Sequence, residues 1–182
     1  DSCDIFLLRK GGRELRYAAL SINSKIRTAI EKLTGLKARN LRIPLFEGSI
    51  FKETIDRRKT HITQDIEKVF KDFSNKKMIR VFAGQAAKLS GIEATIHVPL
   101  QVEDEIIGIM GAARKSDITA DDARALELFA SHVALIIKQA RAELFLRESE
   151  ERFRSINDSA NDAIVMVNNR GKISLWNPAS ER

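Results

Sequence analysis

Apolar positions in this chain alternate between strand-like and helical spacing, and each change of period marks a candidate element. Ile5–Leu8 and Leu15–Leu20 flank Lys10-Gly11-Gly12-Arg13, which is the pattern of a hairpin. Ser24 to Leu33 sets Ile26, Ile30 and Leu33 on one helical face and stops at Gly35. After Ile43-Pro44-Leu45, Ser49 is placed to cap a short helix carrying Ile50, Phe51 and Ile55, and Thr60–Thr63 reads as a brief strand leading into Asp65. The spacing is helical again from Ile66 to Leu89. Val69, Phe70 and Phe73 fall in one piece and Met78, Ile79, Phe82, Ala86 and Leu89 in the next, with Ser90-Gly91 as the stop. Ile92–Val102 and Ile106–Ala113 carry the strongest strand signal and join through Glu103-Asp104-Glu105 as a second hairpin. Gly108 and Gly111 inside the second strand imply close approach of a neighbour.

The stretch from Thr119 to about Ile156 organises the rest. Thr119 supplies an N-cap hydroxyl and Asp121 and Asp122 place carboxylates in the first turn, where they answer unpaired N–H groups and the helix dipole. No Pro or Gly follows until Gly171, so the run predicts one helix about 55 Å long. Its apolar residues form two stripes. Leu126, Phe129, Val133, Ile136, Ile137 and Ala140 suit packing on a sheet. Leu128, His132, Leu135, Gln139, Ala142, Leu146, Ser149, Phe153 and Ile156 repeat at 4,3 spacing, which describes a coiled-coil seam. The expected dimer-interface residues are therefore Leu128, Leu135, Ala142, Leu146, Phe153 and Ile156. Elements in the order hairpin, helices, short strand, helices, hairpin, long helix predict an α+β fold, an antiparallel sheet flanked by helices.

Composition adds limits. With 182 residues the chain can hold one domain with a real core and part of another. No apolar run approaches the roughly 20 residues that span a bilayer, so no membrane contact is expected from this segment. The single cysteine, Cys3, cannot form an internal disulfide, which fits a reducing cytoplasm. A start without Met and a stop at Arg182, inside a helix start, suggest a piece of a longer protein. The net charge of +6 is uneven: residues 1–92 hold 20 Lys and Arg against 10 Asp and Glu, while residues 93–162 hold 8 against 14. A basic first half raises nucleic-acid binding as a competing class, yet no basic stripe is interleaved with aromatics and no DNA-reading helix motif is visible, so no nucleic acid is expected.

Ile96-His97-Val98-Pro99-Leu100, then Ile106-Ile107-Gly108-Ile109-Met110, Thr119-Ala120-Asp121-Asp122 and Leu126-Glu127-Leu128-Phe129-Ala130, resemble the closing half of a GAF domain. The resemblance covers about residues 1–140. Leu146 to Arg154 is similar to the linker leading into PAS domains of sensor kinases. Asp162 to Val167, the turn Asn168-Asn169-Arg170-Gly171 and Lys172 to Ala179 are similar to the first two PAS strands and the next helix start. These resemblances imply a GAF sensor domain over 1–140, a helical linker over 141–157 and the opening of a PAS domain over 158–182. They imply the input module of a multidomain signalling protein, foremost a two-component sensor histidine kinase, with a diguanylate cyclase or transcriptional regulator as alternatives. The kinase chemistry would lie outside this segment, and the segment itself would not be an enzyme.

The residues offer little chemistry of their own. His61, His97 and His132 fall on three separate elements with no short-spaced ligand pair, so no metal site is expected. The cyclic-nucleotide signature of some GAF domains is matched by Asn75-Lys76 and Phe82 but not by the acidic pair that should follow, since Ala83-Gly84-Gln85-Ala86-Ala87 stands there. A bilin-type cysteine is missing from the middle region, and no P-loop, dinucleotide fingerprint or nucleophile–base pair appears. Phe51, Phe70, Phe82, Ile96 and Val98 are either plain core or the lining of a small-molecule cavity. The cofactor, if any, is unknown at this level, and the expected partners are a second copy of the chain through the long helix and an unidentified small molecule.

Overall fold

Gly11 and Gly12 take positive φ values of 103° and 67° and turn the chain back on itself, so β1 (Ser2–Leu8) pairs antiparallel with β2 (Glu14–Ser21). The computed structural model describes residues 1–9, 11–75 and 77–181. Lys10 in this turn, Lys76 beside Asn75, and Arg182 lie outside the described residues, as do the side chains of Met78 and Ile79.

The helices begin and end where local chemistry directs. Asn23 accepts from the N–H groups of Lys25 and Ile26 to start α1 (Ser24–Thr34), and Gly35 closes it at φ 70°. A 3-10 turn (Ala38–Asn40) leads into β3 (Arg42–Pro44), a three-residue edge strand that the sequence pattern does not announce. Ser49 caps α2 (Ile50–Arg57), β4 (His61–Thr63) follows, and Asp65 caps α3 (Ile66–Asp72). Then come α4 (Lys77–Val81) and α5 (Ala83–Ser90), the latter closed by Gly91 in the left-handed region. β5 (Ala94–Val102) and β6 (Glu105–Arg114) form the long central hairpin. The six strands make one antiparallel sheet in the order β3-β2-β1-β6-β5-β4.

Residues 1–136 form the first of two compact units. On one face of its sheet Phe6, Leu15, Ile43 and Ile109 pack with Ile50 and Phe51 of α2 and Val69 of α3. The opposite face, with Ile96, Val98, Leu100 and Met110 buried, lies under the start of α6 (Ala120–Ser159). Thr119 and Asp122 cap that helix reciprocally. The Asp122 N–H donates to Thr119 Oγ1 at 3.2 Å and the Thr119 N–H donates to Asp122 Oδ2 at 2.9 Å. Arg114 of β6 reaches Asp122 at 2.8 Å, and the Thr60 hydroxyl donates to Glu127, so polar contacts pin the helix to the sheet.

One expectation for this helix is corrected. Leu126, Val133 and Ile137 are partly buried, but Phe129, Ile136 and Ala140 are exposed, and the fully buried positions are Ala130 and Ala134. At about 100° per residue these alanines share a face with Leu126 and Ile137, whereas Phe129 and Ile136 sit about a quarter-turn or more away. Small side chains, not large ones, mark where the helix backbone comes closest to the sheet.

The second unit, Ile137–Arg182, holds the rest of α6 and a hairpin of β7 (Val165–Val167) and β8 (Ile173–Trp176). Asn177 is its fully buried hub. The Ile164 N–H donates to Asn177 Oδ1 at 2.8 Å, and Asn177 Nδ2 donates to the carbonyls of Asp162 at 3.0 Å and Asn157 at 3.3 Å, which ties the hairpin to the end of α6.

Candidate ligand cavity

A cavity of about 140 Å³ lies between the sheet and helices α1, α3 and α5. Its wall is mostly apolar, with Phe6 from β1, Ile30 from α1, Val69 and Phe70 from α3, Ala83 and Ala86 from α5, and Phe73 just past α3. Phe73 gathers the aromatic side of the wall, with ring centroids 5.7 Å from Phe70, 6.3 Å from Phe6 and 5.4 Å from Phe51.

Asp4, Thr95 and His97, with Ser2 at the start of β1, are the polar residues that the sheet's strands contribute to the lining among the described residues. Asp4 of β1 faces Gly111 of β6, and Gly111 faces His97 of β5, so the three share one rung and one face. His97 in turn faces His61 of β4. Thr95 lies one step along the same face of β5. Asp4 Oδ1, Thr95 Oγ1 and both ring nitrogens of His97 are buried and have no hydrogen-bond partner among the described residues. Asp4 as a residue is half-buried, but that carboxylate oxygen is fully enclosed.

Burial sets the charge state of these groups. It pushes Asp4 from 3.8 up to about 7, against the pull of the Gly111 backbone N–H. It holds His97 down at about 3, helped by the neighbouring His61. His97 is therefore a neutral imidazole with one N–H and one lone pair to offer, and the Phe51 ring meets it edge-on at 5.2 Å. Asp4 and His97 do not satisfy each other, so both keep unused hydrogen-bonding capacity.

The residues singled out from the sequence are distributed around this chamber. Phe70 lines it. Phe51 is buried behind it, against His97 and Phe73. Phe82 precedes the first residue of α5 and is not among the lining residues. Ile96 and Val98 are buried on the opposite face, because neighbours in a strand alternate sides and Thr95 and His97 take the cavity side. Polar residues inside an otherwise buried strand were the signal for the site, and Asp4 in the first apolar run was its counterpart. The seam residues Leu128, Leu135, Ala142, Leu146, Phe153 and Ile156 are all exposed in the single chain. Although His61 and His97 face each other, no group of three or more His, Cys, Asp or Glu among the described residues could hold a metal ion. No described helix is long and apolar enough to cross a membrane.

A family model for the GAF domain matches residues 9–138. No curated protein matches the chain. Among solved structures, the GAF domain/HD domain protein from Geobacter sulfurreducens is similar with a TM-score of 0.56 at 14% identity, over 78% of this chain and 82% of that one. The GAF domain of a two-component sensor histidine kinase from Bacillus halodurans gives 0.55 at 18% identity, over 79% and 84%. A domain of a putative two-component sensor histidine kinase protein from Sinorhizobium meliloti 1021 gives 0.51 at 15% identity, over 81% and 85%. At these identities the structures speak to the fold alone, a curled antiparallel sheet with flanking helices and a long C-terminal helix.

Proposed function

The chain belongs to the GAF domain family, and on that premise we propose that it is the sensory input module of a two-component sensor histidine kinase, binding a small molecule in the sheet-side cavity and passing the signal along α6. The observation that carries this reading is the cavity itself, an apolar chamber lined in part by Asp4, Thr95 and His97, whose buried polar atoms have no hydrogen-bond partner among the described residues. Each buried, unmade hydrogen bond costs about 1–3 kcal/mol, and a guest that made them would recover that free energy. Two of the fold relatives are domains of two-component sensor histidine kinases, one of them putative, which supports the choice of parent protein. The pairing of a GAF domain with an HD domain in one fold relative shows that GAF domains accompany other outputs, and a diguanylate cyclase or a transcriptional regulator is the alternative parent.

In this reading residues 141–157 are a signalling linker and 158–182 open a PAS domain, and the exposed seam of α6 pairs with a second copy of the chain. A thermal-shift screen against broad metabolite panels tests the sensor role, because a guest that prefers the folded state raises the apparent stability. Failure of every compound to shift the melt leaves a structural, dimerising domain in its place. The coding sequence on the C-terminal side tests the parent assignment, and the lack of a kinase domain there would overturn it.

A further inference from the structure

Resting on the reading of the cavity as a ligand site, we propose that its guest is a small planar nitrogen base of the amidine or amino-heteroaromatic type, whose N–H edge is held by Asp4 and flanked by His97 and Thr95. Size bounds the guest first. A dry cavity of about 150 Å³ accommodates benzene, so about 140 Å³ suits a guest of about one ring. The wall of Phe6, Phe70 and Phe73 suits a flat, polarizable ring.

The polar atoms then choose the ring's chemistry. Asp4 leans over Gly111 so closely that a Cβ on that glycine would lie 2.5 Å from Asp4 Oδ1. The glycine therefore keeps open the ground between the carboxyl and the imidazole. A hydrocarbon guest would leave Asp4 Oδ1, Thr95 Oγ1 and both His97 nitrogens unpaired. A carboxylate guest would set a second acid beside Asp4. An N–H donor, and most of all two parallel N–H groups on a cation, gives Asp4 a charge-assisted partner, while ring nitrogen and amino groups match the donor and acceptor that neutral His97 and Thr95 present. The carboxyl's position near the middle of its titration means such a guest can draw it into the ionised form at neutral pH. The other charged groups of the wall, Arg27 and Glu31, carry opposite signs, and Glu31 Oε1 already accepts the Ala38 N–H at 3.0 Å.

Calorimetric titration and thermal shift of the 182-residue chain at neutral pH, with 2-aminopyridine, toluene and benzoate as probes of similar size, test the proposal. The expected result is that 2-aminopyridine binds at least tenfold more tightly than toluene and that benzoate does not bind. Asp4→Asn should weaken 2-aminopyridine at least tenfold and leave toluene unchanged. Gly111→Ala, which keeps the acid but pushes its carboxyl aside, should weaken 2-aminopyridine as well and serves if the Asp4 variant fails to fold. Toluene or benzoate binding as tightly as 2-aminopyridine overturns the nitrogen-base assignment while the ligand-site reading stands. So does an Asp4→Asn variant of unchanged affinity. Failure of all three probes, together with a flat metabolite screen, removes the ligand-site reading itself.

Discussion

Asp4 and His97 occupy one rung of the sheet with Gly111 between them, so an acid and an imidazole face the same chamber across a residue without a side chain. Burial favours the neutral form of both, in opposite pH directions. Asp4 binds its proton more tightly folded, at about 7, than at its ordinary 3.8. Its contribution is complete below the lower value and is lost as pH rises toward the upper one. His97 binds its proton less tightly folded, at about 3 against 6.5, so its contribution is complete above 6.5 and lost as pH falls.

Between about pH 4 and pH 6.5 the two slopes therefore oppose, each amounting to at most about 5 kcal/mol over its full range. Single variants should separate them. Denaturant unfolding of Asp4→Asn should show stability rising with pH across that window, and His97→Gln should show it falling. Two variants with the wild-type profile would mean that neither group titrates in the fold as argued.

Gly108 and Gly111 stand three residues apart in β6 and should respond differently to a methyl group. A Cβ at Gly108 would be driven into the backbone carbonyl oxygen of Phe6, which cannot move without its strand. At Gly111 it meets only the end of the Asp4 side chain, which can turn aside. Thermal unfolding should show Gly108→Ala destabilised by at least about 2 kcal/mol and Gly111→Ala by less than half as much. Equal losses would refute the distinction.

Asp72, the last residue of α3, is buried and accepts the Ile50 N–H at 2.9 Å, so the end of α3 caps the start of α2. Asp72→Ala leaves that N–H buried without an acceptor and should cost about 2 kcal/mol. Asp72→Asn keeps an oxygen in place and should recover most of the loss in the same melt. A neutral Asp72→Ala would show that water replaces the carboxylate.

The sequence made some of this legible and hid the rest for physical reasons. Hairpins, caps and stops are local: Gly11-Gly12, Ser49, Asp65, Gly91 and the Thr119–Asp122 box all act within a few residues of themselves, and each stands where its chemistry indicated. Register is not local. Asp4 meets Gly111 only because β1 inserts between β2 and β6, and no spacing in the chain encodes that pairing. β3 escaped notice because three residues carry no period of their own and depend on Glu14–Arg16 for partners. The buried row of α6 was misjudged at Phe129 and Ile136 because close packing selects Ala130 and Ala134, whose small size gives a weak hydrophobic signal.

The exposure of Phe129 and Ile136 widens the apolar face that a second copy of the chain would cover. Leu128, Phe129, Leu135 and Ile136 are 46–63% exposed on the side of α6 turned away from its sheet, and Leu146, Phe153 and Ile156 continue the exposed apolar series along the same helix. Burying a large apolar side chain is worth roughly 1.5–3 kcal/mol, so a few such pairs across a two-fold axis outweigh the entropic cost of association that sets the threshold for a dimer. The 4,3 spacing of Leu128, Leu135, Ala142, Leu146, Phe153 and Ile156 suits parallel helices. Light scattering at tens of micromolar should therefore find a dimer. Leu135→Glu with Leu146→Glu should convert it to a monomer with little change in helix content, because both residues are exposed in the single chain and neither belongs to its buried core. A monomeric wild type, or a double variant that stays dimeric, would show that this helix face is not the interface.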